Sequence, residues 1–409
     1  MLGIVADDLT GCMDSSGYFA SMGFSTVVIL DPSFASDADV VVVNTNSRAE
    51  APDIARERVR QAIKSVAGRV IYKKIDSTLR GNIGVELEVA MEELASEKAI
   101  VAPAFPEVCR TTVTGILMVN GVAVAETQFA NDPILPVKES HIPTLLEQSI
   151  KCRVGCVAVE DIDTGPESLY QKISCMPQDI VVCDAMKQPH LAGIAQAAAL
   201  AENRWLLCGS GGLARELHLF LTKSCSVNET TSPSLIYGPA LVVIGTRNQV
   251  AADQLMKAKD ELGLPILNLE AEHLSQKDVA SGRIERIVSE AERLLEQGRG
   301  LALSSTFSRY MPDLKRSIPA IMAEAVIGIL AIRNFAGLFL SGGDIAVEVC
   351  RRLYVSAISV RGEVEPGITA GELIGGKGHG MRVVTKAGGF GTKAALVKSL
   401  SYLEKGELT

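Results

Sequence analysis

Short, uninterrupted apolar runs, each ending abruptly in polar or turn-forming residues, punctuate the first half of the chain. Leu2-Gly3-Ile4-Val5-Ala6 runs into Asp7-Asp8-Leu9-Thr10-Gly11, and Val40-Val41-Val42-Val43 into Asn44-Thr45-Asn46-Ser47-Arg48. Arg69-Val70-Ile71 precedes Tyr72-Lys73-Lys74-Ile75-Asp76-Ser77-Thr78-Leu79-Arg80-Gly81-Asn82, after which a helical pattern begins near Ile83. Ala99-Ile100-Val101-Ala102 runs into Pro103-Ala104-Phe105-Pro106-Glu107, Ile180-Val181-Val182-Cys183 ends at Asp184, and Trp205-Leu206-Leu207-Cys208 ends at Gly209-Ser210-Gly211-Gly212. Continuous apolar runs of this length mark strands buried on both faces of a parallel sheet. Helical periodicities, such as Ile54 to Val66 and Leu191 to Ala201, lie between them, and the alternation predicts βαβ units.

A polar stretch that lacks periodicity and contains proline, Ser226-Val227-Asn228-Glu229-Thr230-Thr231-Ser232-Pro233-Ser234, interrupts the pattern and reads as a linker. A second α/β series opens with Ala240-Leu241-Val242-Val243-Ile244 before Gly245-Thr246-Arg247-Asn248. It continues with Leu301-Ala302-Leu303 before Ser304-Ser305-Thr306, and Gly337-Leu338-Phe339-Leu340 before Ser341-Gly342-Gly343-Asp344. Arg382-Val383-Val384-Thr385-Lys386 before Ala387-Gly388-Gly389-Phe390-Gly391 closes it. The expectation is α/β throughout: two α/β domains with largely parallel sheets, residues 1–225 and 239–409, joined by a linker at 226–238, with an active-site cleft between the domains. Between Thr112 and His141 the pattern differs, and the Asn120-Gly121 dipeptide between apolar residues predicts a β-hairpin inserted in the first domain.

Composition narrows the function. A chain of 409 residues exceeds one ordinary core, and 47% apolar residues with only 4% aromatic suit α/β layers better than a sandwich or a disulfide scaffold. The balance of 40 basic against 48 acidic residues gives −8 with no basic tail, which argues against nucleic acid. A negative chain still holds an anionic metabolite if a local pocket is cationic. No apolar stretch reaches the roughly 18–20 residues of a bilayer crossing, and no charged n-region with an apolar h-region opens the chain. The nine cysteines include no second pair to match Cys152-x-x-x-Cys156, so no zinc site is expected. Cys183, Cys208 and Cys350 read as small core residues. The expected setting is the reducing cytoplasm, with a small molecule as partner, neither nucleic acid nor membrane; a homodimer is allowed.

In doubly wound α/β sheets, ligands bind beyond the carboxyl ends of the strands. Three cations, a carboxylate and two hydroxyls crowd residues 73–80, more than a strand-to-helix turn requires and what an anion site needs. A solvated turn with Ser77 or Thr78 as helix cap is the alternative for that segment alone. Parallel strands would bring Asp7, Asp8, Ser47, Arg48, Lys74, Asp76 and Arg80 to one edge, and that convergence favours a site.

Glycine carries the signal in the second half. Ser341-Gly342-Gly343-Asp344 joins a strand to a helix, and Gly388-Gly389-Phe390-Gly391-Thr392 follows another strand. Glycines let backbone approach a ligand closely, and a helix start offers free N–H groups, an arrangement suited to phosphate. Gly371-Glu372-Leu373-Ile374-Gly375-Gly376-Lys377-Gly378 nearly spells a P-loop, but Gly378 stands where a Ser or Thr belongs and no helix follows. Val5-Ala6-Asp7-Asp8 lacks the Gly-x-Gly of a dinucleotide fold. Among the histidines, His141 is placed where it could touch a ligand, His190, His218 and His273 read as structural, and His379 in the glycine-rich segment stays open.

Together these residues resemble the four-carbon acid sugar kinase family. The matching motifs are Ala6-Asp7-Asp8-Leu9-Thr10-Gly11 with Asp14, Asn46-Ser47-Arg48, Lys73 through Asn82, Pro103-Ala104-Phe105-Pro106 with Arg110-Thr111-Thr112, Asn120-Gly121, Asp132-Pro133 and Ser140-His141. Ser341-Gly342-Gly343-Asp344, Pro366-Gly367 and Lys386-Ala387-Gly388-Gly389-Phe390-Gly391 continue them, so the resemblance spans nearly the whole chain. It implies an ATP-dependent kinase acting on the terminal hydroxyl of threonate, erythronate or 3-oxotetronate, with the acid in the N-terminal domain and ATP in the C-terminal one. By motif position it implies substrate contacts at Asp8, Arg48, Asp76, Ser77, Thr78, Leu79 and Arg80. It implies nucleotide contacts at Thr246, Ser341, Gly342, Gly343, Asp344, Gly388 and Gly389. Two departures stand out: Gly11-Cys12 replaces the usual Gly-Ala, and Gly245-Thr246-Arg247-Asn248 followed by Ala251 replaces Gly-Ser-x-Ser with a later Thr.

Physical chemistry shapes the roles independently. The planar fork of arginine matches a carboxylate, which makes Arg48 or Arg80 the clamp. Phosphoryl transfer needs charge neutralisation more than covalent work; Lys74 could supply a cation, and Asp344 could hold Mg2+ through water. Asp8 or Asp76 would accept the proton of the attacking hydroxyl. The rivals are a non-catalytic sugar-acid sensor, which needs no glycine loops, and a sugar-acid dehydrogenase, which the missing dinucleotide fingerprint disfavours.

Overall fold

The computed structural model describes residues 1–132, 134–221, 238–270, 280–296, 300–308 and 317–408. The chain divides into two compact units, Met1–Ser15 with Ala35–Ser224, and Ser16–Phe34 with Cys225–Thr409. The expected linker at 226–238 lies outside the described residues except for Gly238.

In the first unit the strands are β1 (Leu2–Ala6), β3 (Val40–Asn44), β4 (Val70–Lys74), β5 (Lys98–Ala102), β9 (Val154–Val157), β10 (Ile180–Cys183) and β11 (Trp205–Gly209). They form a sheet in the order β3-β1-β4-β11-β5-β10-β9, and every pairing is parallel. β1, β10 and β11 are buried at every position, as their unbroken apolar runs require. Register decides what meets at the edge: Ala6 pairs with both Asn44 and Lys74, and Gly209 pairs with both Lys74 and Ala102. The segments that follow these strands therefore leave the sheet at one level. The helix Pro52–Ser65 shows why the intervening sequence is helical. Proline opens it, Asp53 sits in its first turn and Lys64 in its last, and Ala55, Val59, Ala62 and Ile63 are buried on one face.

The inserted segment is a small antiparallel sheet of β6 (Arg110–Val113), β7 (Ile116–Val119) and β8 (Val122–Ala123). Asn120 and Gly121 form the two-residue turn between β7 and β8, with φ of 51° and 79°, which the primed hairpin turns demand. The sheet is tied to the end of β10. Thr112 and Ala185 exchange backbone hydrogen bonds of 2.9 and 3.0 Å, and Asp184 accepts from the amides of Thr114 (2.6 Å) and Gly115 (2.8 Å).

The second unit contains β2 (Thr26–Ile29), β12 (Ala240–Ile244), β13 (Ile266–Asn268), β14 (Leu301–Ser304), β15 (Gly337–Ser341), β16 (Ala357–Glu365), β17 (Ile368–Ile374) and β18 (Arg382–Lys386). The order is β13-β14-β12-β15-β18-β17-β16-β2, parallel as far as β18 and antiparallel beyond. β2 joins this unit through its pairing with β16, a long-range partnership that nothing local in residues 26–29 announces. Leu255 and Ala258 of the helix Gln249–Leu262, and Leu396, Leu400 and Leu403 of the helix Ala395–Lys405, pack with Val242, Phe339 and Val384 of the sheet. The near-P-loop is a turn between antiparallel β17 and β18, with Gly375 and Gly376 at φ of 84° and 64°, so it has neither the strand-to-helix geometry nor the role of a Walker A segment. Among the described residues no helix is long and apolar enough to cross a membrane.

Candidate functional site

Asp7 and Asp8 follow β1, Arg48 follows β3, and residues 76–80 follow β4, so the edge that register defines is densely charged. Arg48 lies between two carboxylates. Its Nε and Nη2 donate to Asp7 at 2.7 and 2.9 Å, and its Nη1 and Nη2 donate to Asp8 at 2.6 and 2.7 Å. Its Nη1 also lies 3.8 Å from Asp76. Asp8 caps the helix Leu9–Ser21 by accepting from the Gly11 amide at 2.8 Å. Burial and Arg48 act oppositely on both carboxyls. Burial would raise Asp7, but Arg48 with Lys73 and Lys74 outweighs it and holds Asp7 below the usual range. Asp8 stays above that range, because burial and the adjacent Asp7 and Asp76 prevail over Arg48. Adjacent carboxyls with values pushed apart are the pattern of an acid–base site.

Asp76 is the second hub. Burial pushes its carboxyl up, but Arg80 and Arg48 hold it well below the usual range. It accepts from Arg80 Nε at 2.8 Å and Nη2 at 3.2 Å, and from the Thr78 hydroxyl. Arg80 reaches Asp132 with Nη1 at 3.2 Å, so that among the described residues two of its five N–H bonds have no acceptor. The inserted segment completes this side. Phe129 lies under both guanidinium groups, 5.5 Å from Arg80 and 5.9 Å from Arg110, and Arg110 also donates to the Ser77 hydroxyl. Leu79 is buried and holds φ at 62°, turning the chain so that Thr78 and Arg80 both face Asp76.

Two expectations change on this geometry. Asp7 and Asp8 fill the fork of Arg48, so it does not present a free fork to a carboxylate here, and among the described residues Arg80 keeps N–H bonds that no protein group takes. Lys73 is not part of the anion pocket either. It is fully buried against Glu86 at 2.8 Å, which with Asp7 outweighs burial and holds the amine above the usual lysine range. Ser47 completes that pair by donating to Glu86 at 2.6 Å. Lys74 does face the cluster: a Cβ built on Gly11 would lie 2.7 Å from Asp8 Oδ1 and 2.9 Å from Lys74 Nζ. Arg110, Phe129 and Asp132 join the site from an insertion whose docking the sequence does not state; the Arg110-Thr111-Thr112 and Asp132-Pro133 motifs hinted at it, and nothing signalled Phe129. His141 bonds locally to Thr144 at 2.7 Å.

Three strand ends meet in the second unit. Gly388 abuts Thr246 so closely that a Cβ there would lie 2.3 Å from Thr246 Oγ1, and a Cβ on Gly342 would lie 3.7 Å from the Thr246 amide. Gly342 has φ of 111°, a conformation glycine tolerates, and opens the helix Gly343–Arg352. The Thr246 carbonyl accepts from Thr306 Oγ1 at 3.0 Å, which draws in the end of β14. Gln254 pins the last loop by donating to the carbonyls of Phe390 (3.0 Å) and Thr392 (2.8 Å). Asn248 caps the helix Gln249–Leu262, accepting from the Val250 amide at 2.9 Å, and Ala251 is buried. The second departure noted in the sequence is thus used structurally. The residues fit a nucleotide: glycine loops converge at a helix start, and the buried Ser341 Oγ has no hydrogen-bond partner among the described residues. For a metal, Asp344 is an exposed carboxylate at that helix start, and no group of three or more His, Cys, Asp or Glu among the described residues is placed to hold an ion. One carboxylate suits a magnesium ion that arrives with phosphates and keeps most of its waters.

Comparison with known proteins gives two matches along the chain. Residues 2–217 match a family model described as a sugar-binding N-terminal domain, and residues 241–396 one described as a nucleotide-binding C-terminal domain. The chain is 32% identical to a D-threonate kinase of Salmonella typhimurium, covering 98% of each sequence. It is 28% identical to a D-erythronate kinase of Heliobacterium modesticaldum, over 98% of this chain and 96% of the relative. It is 25% identical to a 3-oxo-tetronate kinase of Brucella melitensis, over 96% and 93%. A solved chain from Salmonella typhimurium shares the fold with a TM-score of 0.79 at 21% identity, over 97% of this chain and 98% of that one.

Proposed function

Because the chain belongs to the four-carbon acid sugar kinase family, we propose that it transfers the γ-phosphoryl group of ATP to the C4 hydroxyl of a four-carbon sugar acid. D-Threonate is the first substrate to test, followed by D-erythronate and 3-oxotetronate. The observation that carries this reading is the pairing, at one sheet edge, of a carboxyl held above its usual range (Asp8) with an arginine two of whose N–H bonds have no acceptor among the described residues (Arg80).

Arg80, with Arg110 beside it on Phe129, takes the substrate carboxylate. Asp76 stays ionised and fixes the Arg80 fork, while Ser77, Thr78 and Leu79 set the turn. Asp8 accepts the proton of the attacking hydroxyl, since its raised affinity for a proton suits a general base better than that of Asp76. Lys74 supplies positive charge where the transferred group becomes more negative. Arg48 acts through others, holding Asp7 and Asp8 in place. In the second unit Thr246, Ser341, Gly342, Gly343, Gly388 and Gly389 receive ATP, and Asp344 holds magnesium through water. Magnesium, when bound, neutralises phosphate charge.

A coupled assay of ADP release over threonate, erythronate and 3-oxotetronate isomers tests the reading. ADP release that depends on one of these acids supports it; a folded protein silent across the panel with ATP and magnesium overturns it. Light scattering on the same sample tests whether the chain forms the homodimer that the sequence allows.

A further inference from the structure

Lys386 ends β18 directly opposite Ser341 on β15, so it stands where two of the glycine loops begin. The side chain is 1% exposed. Its Nζ donates to the carbonyls of Ala387 (3.0 Å) and Gly388 (2.9 Å), which places the amine against the turn leading into Gly388 and Gly389. Among the described residues no carboxylate pairs with it, and the acids on the surrounding elements are engaged elsewhere. Glu365, ending β16, binds Lys398 at 2.8 Å and the Thr392 amide at 2.7 Å. Glu363 accepts from the Gly367 amide at 2.9 Å, and Glu372 on β17 pairs with Arg361 at 2.9 Å. Asp344, at the start of the helix after β15, points to solvent. A buried cation without a counter-ion either gives up its proton or is matched by an anion from outside the fold. Burial lowers the Lys386 amine to about 7. The unpartnered Ser341 Oγ, also fully buried, shows the same unmet polarity at the same junction.

We propose that Lys386 is a phosphate contact for the nucleotide and takes up a proton as the nucleotide arrives. The proposal rests on the kinase reading for the identity of that nucleotide. In the empty protein the amine braces the loop through two carbonyls; beside phosphate it becomes an ammonium ion, and the incoming anion supplies the missing counter-charge. The sign follows: binding is tightest where the amine is already charged, and affinity declines as pH rises above about 7, by up to tenfold per unit.

Calorimetric titration of the full chain with ATP–magnesium, in two buffers of different ionisation enthalpy, counts the protons. The wild type should take up close to one proton per nucleotide at pH 8 and close to none at pH 6. Lys386→Arg, whose charge is fixed, should bind ATP with no uptake at either pH, and Lys386→Met should bind more weakly than wild type at pH 6 without uptake. A lysine that only braced the turn would alter affinity in the variants without altering the proton count. Wild-type binding without uptake at pH 8, or uptake that persists in Lys386→Arg, overturns the proposal while leaving the kinase reading intact. A wild type that binds no ATP overturns both. If Lys386→Met does not fold, the wild type and the arginine variant decide the question.

Discussion

Gly388→Ala is the sharpest probe of the three-loop junction, because it adds one methyl group and nothing else. Gly388 does not use a left-handed backbone conformation, so the substitution carries no conformational penalty of its own. Its Cβ, however, would lie 2.3 Å from Thr246 Oγ1 and 3.0 Å from both Thr246 Cβ and Cγ2. Neither side yields easily. The Thr246 carbonyl is tied to Thr306 at 3.0 Å, and the opposite loop is tied to Gln254 at 3.0 and 2.8 Å. Overpacking of this kind costs about 1–3 kcal/mol. If the cost falls on the spacing between the loops, ATP affinity drops about 5- to 150-fold. Calorimetric titration of ATP–magnesium and of the sugar acid against the same folded variant reads both ligands. The nucleotide should weaken and the acid should not, since the acid is assigned to the other unit. Adding Thr246→Ala removes Oγ1 and Cγ2, so the double variant should lose less than the two single losses combined. Wild-type ATP affinity in Gly388→Ala, or equal loss of both ligands, would refute the reasoning.

Other expectations follow from the first unit. Arg80→Lys keeps a charge but loses the fork that reaches Asp76 and Asp132, so kcat/KM should fall roughly ten- to a hundredfold, the worth of about 1.5–3 kcal/mol of charged hydrogen bonding; near-normal kinetics would remove Arg80 from the site. Asp76 has a folded pKa well below its unfolded value, so its stabilisation is present above about pH 4 and disappears as pH falls through the folded value. Melting temperatures of Asp76→Asn and wild type should therefore differ at neutral pH and converge in acid, and a constant gap down to low pH would contradict this. Gly11→Ala would press a methyl group against Asp8 Oδ1 and Lys74 Nζ, both flexible side-chain ends. It should fold normally yet lower kcat, and an unchanged kcat would show that neither group needs its present position.

Legibility in the sequence followed the range of the interactions involved. Uninterrupted apolar runs such as Leu2–Ala6 revealed the parallel sheets, because burial on both faces leaves no room for polar positions. Asn120-Gly121 revealed its hairpin, because few other pairs accept two positive φ angles. β2 went unseen because its place depends on β16, more than 300 residues away in the chain. In the site, the strand-end residues could be read one by one, but their pairings could not. Arg48 looked like a ligand clamp until Asp7 and Asp8 were seen to fill its fork, and Lys73 looked like a pocket cation until Glu86 was found beside it. Both partnerships join side chains from different strand–helix segments, which no local pattern encodes. Lys386 could be read only as the start of a motif, for a similar reason: that no carboxylate among the described residues pairs with it is visible only once the neighbouring strands are in place.

The central claim is chemical, and the position of the transferred phosphorus tests it most directly. Incubation of the full chain with ATP, magnesium and D-threonate, or whichever four-carbon acid supports ADP release, gives a product whose 31P spectrum can be read without separation. The account predicts a phosphate monoester coupled to the two protons of C4, with the carboxylate unmodified. A phosphorus coupled to a single methine proton at C2 or C3, an acyl phosphate, or ATP consumed without any phosphorylated acid would contradict it.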